Sequence, residues 1–227
     1  MVLNRVLPEN IQCIAWSPTR SNFSARFDCK YRTYKYFFIK GQLDIEAMQL
    51  ASNYFLGTHD FRNLCKMDVG NGVTQFVRNI MKIELDVYDK KIIDVDKYTM
   101  YVITITGQAF LWHQIRCIMG ILILIGQQKE KPEVILELLD IDNNPRKPEY
   151  HMASEIPLNL YDCTYDDEDI NWQYNDNVLS KVIENLTRKY TTNAIQAAMI
   201  KSMITDLKLV NPLTDSMSSM CSSNFLL

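Results

Sequence analysis

Arg116 lies between Ile115 and Cys117 in GQAFLWHQIRCIMGILILIGQ, the most apolar stretch of the chain. An unpartnered guanidinium is costly in such surroundings, so the stretch demands an acceptor, a carboxylate above all. A positive charge there would in turn keep an acid ionised. The competing reading is an arginine at a helix edge that snorkels its head to water. Tyr34 is the second candidate, in FSARFDCKYRTYKYFFI at 23–39. Stacking of a nucleic-acid base on a tyrosine is worth about 1–3 kcal/mol. Arg26 and Arg32 share the parity of Tyr34 and could add phosphate contacts. The plainer alternative is a strand whose ring and charges are merely solvated.

Other residues carry weaker chemistry. His113 and Cys117 are four apart and could face one metal, but two ligands do not complete a zinc site, so no metal is expected. His59 and Asp60 resemble an acid–base pair, yet Thr58 or Asp60 also suits a helix N-cap or loop tie, with Phe61 filling core. Arg78, on an alternating segment, reads equally as a solvated strand arginine.

These side chains need elements to hold them. The aromatic run 23–39 has no glycine or proline and reads as a strand. Its Ser24, Arg26, Lys30, Arg32, Tyr34 and Tyr36 parity is expected to be the cationic and aromatic face, with Phe23, Ala25, Phe27, Cys29 and Tyr31 apolar. Residues 42–56 show helical spacing and stop at Gly57. Asn71, Gly70 and Gly72 mark a turn, 74–88 alternates as a half-buried strand, and DKKIIDVDK is a connection. YTMYVITIT, 98–106, is rich in β-branched residues and completes an antiparallel hairpin. A mostly apolar helix follows over 110–127, a shorter one from Pro132 to Leu139, then a strand over 158–165. This order predicts an α+β fold, a mostly antiparallel sheet with helices on one face. Residues 178–207 are helix-like, and the serine-rich end, NPLTDSMSSMCSSNFLL, is expected to be disordered.

Composition bounds the function. With 227 residues, 47% hydrophobic and 22% charged, the chain is an ordinary folded protein. Its net charge of −3 names no partner, but the charges segregate. Residues 1–82 hold 11 basic and 6 acidic side chains, and 83–227 hold 13 and 21. The excess from Arg20 to Lys40 is where a polyanion would dock first. Six cysteines without a C-x-x-C pair argue for a reducing compartment, cytoplasmic or nuclear. The N-terminus lacks the marks of a signal or transit peptide. The apolar run 118–125 falls far short of the roughly twenty residues a membrane span needs.

Four separated blocks, FSARFDCKYRTYKYFF, GTHDFRNLCK, FVRNI and GQAFLWHQIRCIMGILILIGQ, resemble the TruA family of tRNA pseudouridine synthases, in order and over about residues 3–165. NNPRKPEYHMASEIPLNLYDC further resembles the eukaryotic branch acting on uridines 38 and 39. The resemblance implies two α/β halves around a basic cleft, tRNA as partner, no metal or organic cofactor, and a homodimer. It assigns Tyr34 to the ring that stacks on the target base and Arg116 to the arginine that pairs with the nucleophilic aspartate. Arg78 matches an arginine near the RNA-facing edge, and Arg26 and Arg32 would touch phosphates. The family's aspartate lies in a G-R-T-D block upstream of the segment LNRVLP, and no such block occurs in these residues. Asp28, Asp60 and Asp68 sit in other contexts. The expectation is therefore a portion of the enzyme, with 1–40 as remaining strands of the N-terminal half, 41–166 as the C-terminal synthase domain and 167–227 as an extension. A non-catalytic RNA-binding module is the alternative.

Overall fold

The computed structural model describes residues 3–8, 10–67, 72, 74–90 and 96–210. Its elements are β1 (Ala15–Trp16), β2 (Tyr31–Ile39), α1 (Ile45–Asn53), β3 (Gly57–Asp60), β4 (Val77–Val87), β5 (Met100–Gly107), α2 (Gln114–Gly126), α3 (Val134–Leu139), β6 (Leu158–Thr164), β7 (Gln173–Tyr174) and α4 (Asp176–Val210). They form two compact units, one from residues 29–164 and one from 3–28 with 165–210.

In the first unit five strands form one antiparallel sheet in the order β3-β4-β5-β2-β6. β2 sits inside it because it is aromatic on both faces and pairs with β5 over its whole length, from Arg32 opposite Gly107 to Ile39 opposite Met100. β5 alternates strictly, and its Tyr101, Ile103 and Ile105 point inward beside Tyr36 and Phe38 of β2. Helices α1, α2 and α3 bury this one face through Met48 and Ala51, Ile118 and Leu122, and Ile135. The resulting core is held chiefly by removal of apolar area from water. α1 starts where Asp44 accepts the Ala47 amide at 3.0 Å, and the chain leaves it through Gly57, whose φ of +96° suits glycine.

The second unit joins β1 and β7 antiparallel. Arg20 bridges Asp28 at 2.9 Å and Asp169 at 2.8 Å, and Phe23 packs on Tyr165 at 5.5 Å between ring centroids. From Asp176 the chain runs 35 residues as α4.

The α+β class, the β4–β5 hairpin and the helix over 178–207 match the expectations from sequence. Four details differ. β2 begins at Tyr31, because the Ser24 amide donates to Asp28 at 2.6 Å and closes a turn there. The faces of β2 are also reversed: Tyr36 and Phe38, on the parity read as cationic, are buried. Along β4 the alternation shifts register between Ile80 and Lys82, leaving Met81 outside and turning Ile83 and Leu85 inward. α2 begins four residues later than expected, at Gln114, because His113 takes a left-handed conformation with φ 59°. The predicted disordered end, 211–227, lies outside the described residues, as do most of the 68–73 turn and the 91–95 part of the connection.

Candidate functional site

Three successive inward residues of β2 reach one another's neighbours at one end of the sheet. Arg32 donates from Nη1 to the Gln108 carbonyl at 3.0 Å. Tyr34, half-buried, stands edge-on to Phe110, with ring centroids 5.2 Å apart and planes at 86°. Tyr36 donates its hydroxyl to the Ser154 carbonyl at 3.0 Å. Gln108 and Phe110 belong to the connection between β5 and α2, which starts at Gly107. A Cβ on Gly107 would stand 2.8 Å from the Asn79 carbonyl oxygen and 3.0 Å from the Phe110 ring. Glycine is what lets Phe110 fold back under Tyr34.

Arg116 closes the same region from the first turn of α2. Its Nε donates to the Ala153 carbonyl at 2.7 Å, its own carbonyl accepts from the Ala153 amide at 3.1 Å, and Nη2 pairs with Glu155 at 3.0 Å. The side chain is 17% exposed, while Glu155 is 70% exposed and meets it from the solvent side. Neither a guanidinium left alone nor one snorkelling free describes it: backbone and carboxylate satisfy it in place. Residues 153–155 thus form a strap fastened to α2 through Arg116 and to β2 through Tyr36. Burial pushes the Tyr36 phenol up to about 12, against the opposing field of Arg116, so it stays a hydrogen-bond donor at neutral pH. Burial also raises the Tyr34 phenol.

Tyr34, Arg32 and Arg116 therefore lie on one side of the sheet around one connection. Arg78 is at the same sheet end, since Arg32, Gly107 and Ile80 share one cross-strand row. It faces His59 across β3. Its Nη1 donates to the Gln75 and Val77 carbonyls at 3.0 and 2.7 Å, and its Nε is buried without a partner. Arg26 is not on β2. It belongs to the turn of the other unit, its guanidinium 5.5 Å from the Phe27 ring.

The weaker candidates resolve into structure. Asp60 accepts the Arg62 amide at 2.9 Å and grips its guanidinium at 2.7 Å, ordering the loop rather than facing His59, whose Nε2 meets the Leu56 carbonyl at 2.8 Å. Phe61 is buried in the core. Asp28 is engaged by Ser24 and Arg20, and Asp68 lies outside the described residues. Cys117 contacts Lys147 Nζ at 3.6 Å. Among the described residues no three His, Cys, Asp or Glu side chains gather as metal ligands.

Sequence reasoning missed Glu155, Phe110, the Tyr36 hydroxyl and the strain at His113. His113 is a non-glycine left-handed residue at the mouth of α2, its Nδ1 buried without a partner and its ring 4.5 Å from Trp112. Burial, then Arg116 and Lys66, depress its pKa below the ordinary imidazole value. Backbone strain of this kind costs on the order of 1–3 kcal/mol and collects at working sites. Only the mostly apolar run after it gave any signal of a helix entrance.

Fold and site together define an α+β protein with a cluster of aromatic and arginine side chains where an antiparallel sheet meets the mouth of an apolar helix. A family model for tRNA pseudouridine synthase matches residues 51–166. The chain is 46% identical over 212 residues to the tRNA pseudouridine(38/39) synthase of Bos taurus, covering 92% of this chain and 44% of that protein. It is 40% identical over 213 residues to the Saccharomyces cerevisiae protein of that name, covering 89% and 45%. It is 30% identical over 220 residues to tRNA pseudouridine synthase A of Methanobrevibacter smithii, covering 92% and 73%. The chain belongs to the tRNA pseudouridine synthase family. It spans less than half the length of these eukaryotic relatives.

Proposed function

We propose that this chain forms the base-binding part of an isomerase that converts uridine to pseudouridine in the anticodon arm of tRNA, at positions 38 and 39. The observation that carries the reading is Arg116 held nearly buried by Ala153 and Glu155, on the side of the sheet where Tyr34 stands edge-on to Phe110. The reaction detaches a base, turns it and rejoins it through carbon, so the base must leave the helix stack and rest in a dry pocket. Tyr34 supplies the stacking surface, offsetting part of an unstacking cost of a few kcal/mol. Arg116 stands ready to pair with a carboxylate nucleophile, and Glu155 holds the guanidinium meanwhile. Arg32, Arg26 and Arg78 contact phosphates. The protein works as a homodimer in the compartments that hold tRNA, cytoplasm or nucleus, and needs no metal or organic cofactor.

The test is pseudouridine mapping in tRNA from cells lacking their own enzyme and carrying the complete coding sequence that contains these residues. Restored modification at nucleotides 38 and 39, lost with Arg116→Ala, supports the reading. Unmodified tRNA with the unaltered, expressed sequence overturns it.

A further inference from the structure

Trp112 is a large, mostly apolar side chain left 46% exposed at the entrance to α2. Its neighbours go the other way. Leu111 and Gln114 are buried, and the Gln114 side-chain oxygen accepts the Leu111 amide at 2.8 Å. Between them the left-handed His113 turns the chain, so that both tuck in while the indole stays out. Strained backbone of this kind persists only where the surroundings hold it, and it collects where side chains must be aimed.

The outward ring is held from behind. The Trp112 carbonyl accepts the Lys66 amide at 2.9 Å, and the loop bearing Lys66 is tied in turn by Lys147, whose Nζ donates to the Cys65 carbonyl at 2.8 Å. The His113 ring backs the indole, with centroids 4.5 Å apart and planes at 34°. A ring fixed in this way loses little freedom when something binds to it. The Lys66 ammonium lies 5.0 Å from the indole centroid. An exposed cation–π pair is weak, so a better partner for the ring displaces it.

Charge selects that partner. The charged groups acting on His113 are Arg116, Lys66 and Lys147 against the carboxylate of Glu155, which Arg116 already engages. An aromatic face beside an excess of cations suits a molecule that is flat at one end and anionic at the other, as a nucleotide is. An apolar peptide would cover the ring but bury the Lys66 ammonium without a counterion.

We infer that Trp112 is a second base-stacking surface, on which an unpaired tRNA base near the extruded uridine rests while Lys66 swings from the indole to that nucleotide's phosphate. Position agrees. Phe110, two residues earlier in the same connection, meets Tyr34, and Arg116 follows in the first turn of α2. The inference rests on the tRNA reading above and adds a contact to it.

The experiment is titration of residues 1–227 with tRNA, read by filter binding at several salt concentrations and by tryptophan fluorescence. Trp112→Ala is expected to weaken binding roughly five- to a hundredfold, the equivalent of about 1–3 kcal/mol for one stacked base. Trp112→Phe, which keeps a ring, should recover most of that loss. The salt slope should stay the same in Trp112→Ala, because an uncharged ring displaces no counterions, and fall by about one in Lys66→Gln. tRNA should quench the fluorescence of the parent chain, Trp112→Phe should remove most of the quenching, and inorganic polyphosphate, which has charge but no base, should not produce it. Trp112 and Lys66 are exposed, so the variants are expected to keep the circular dichroism of the parent. Parent-strength binding by Trp112→Ala, a loss that Trp112→Phe does not recover, or quenching that survives Trp112→Phe overturns the inference and leaves the tRNA reading standing. A parent chain that binds no tRNA overturns both.

Discussion

Gly120→Ala turns on a competition whose sign the structure decides. Gly120 lies in the middle of α2, where alanine would ordinarily stabilise a helix by about 1 kcal/mol. Here the added Cβ would collide with the His151 carbonyl oxygen and stand 3.5 Å from the Ala153 amide. Both are backbone atoms, one in the strap and one two residues before it, and cannot rotate away. Gly126→Ala meets the thioether of Met48 instead, at 2.6 Å, which a flexible side chain can relieve. Forcing a methyl group into a packed contact costs about 1–3 kcal/mol, so Gly120→Ala should lose up to about 2 kcal/mol net of the propensity gain. With a urea slope of about 2 kcal/mol per M, the midpoint falls by up to about 1 M. Displacing His151 also pulls Ala153 from Arg116 Nε, so tRNA binding should weaken beyond what Gly126→Ala causes. Urea titration by circular dichroism, with filter binding of tRNA, reads both. A Gly120→Ala protein that is more stable than the parent and binds tRNA equally well would refute the strap's role.

Other consequences follow from named hydrogen bonds and charges. Asn63→Ala removes donors to the Leu138 and Asn144 carbonyls, at 3.2 and 2.8 Å, from a fully buried position. It should cost about 1–3 kcal/mol in thermal or urea unfolding. His113 resists protonation in the folded chain, so the unfolded chain takes the proton first and stability falls as pH drops through the ordinary imidazole value near 6.5. His113→Asn, which tolerates the left-handed backbone, should flatten that part of the melting-temperature profile between pH 7 and 5.5. Arg26→Ala with Arg32→Ala should lower tRNA affinity and make its salt dependence shallower, by about one unit of slope for each phosphate no longer neutralised; unchanged slope would remove both from the interface.

Much of the sheet was legible because β5 and the second half of β4 alternate strictly, and a half-buried strand cannot hide that period. β2 was harder. Rings on both faces from Tyr31 to Phe38 left parity without a direction, and only burial of Tyr36 and Phe38 shows which side the helices cover. The Ser24–Asp28 turn escaped because it is closed by backbone bonds to the Ser24 carbonyl and by the Asp28 carboxylate on the Ser24 amide, with no glycine or proline to mark it. β3 is four residues long, and β1 and β7 two each, too short for any period to register. Arg116 could be chosen because its charge interrupts an apolar helix. Glu155 could not, since its value comes from a strap with no regular structure folding back across α2. The motif blocks supplied the role of Tyr34, and the chain alone could not have distinguished it from Tyr36.

The most direct measurement compares Arg116→Ala with Arg116→Lys and the unaltered complete coding sequence, reading pseudouridine at tRNA nucleotides 38 and 39 alongside tRNA binding. A guanidinium held by Ala153 and meeting a carboxylate cannot be replaced by a point charge. Both variants should therefore form little or no pseudouridine, with a loss of tRNA binding no larger than that of Gly120→Ala. Modification by Arg116→Ala at the parent rate would contradict the account.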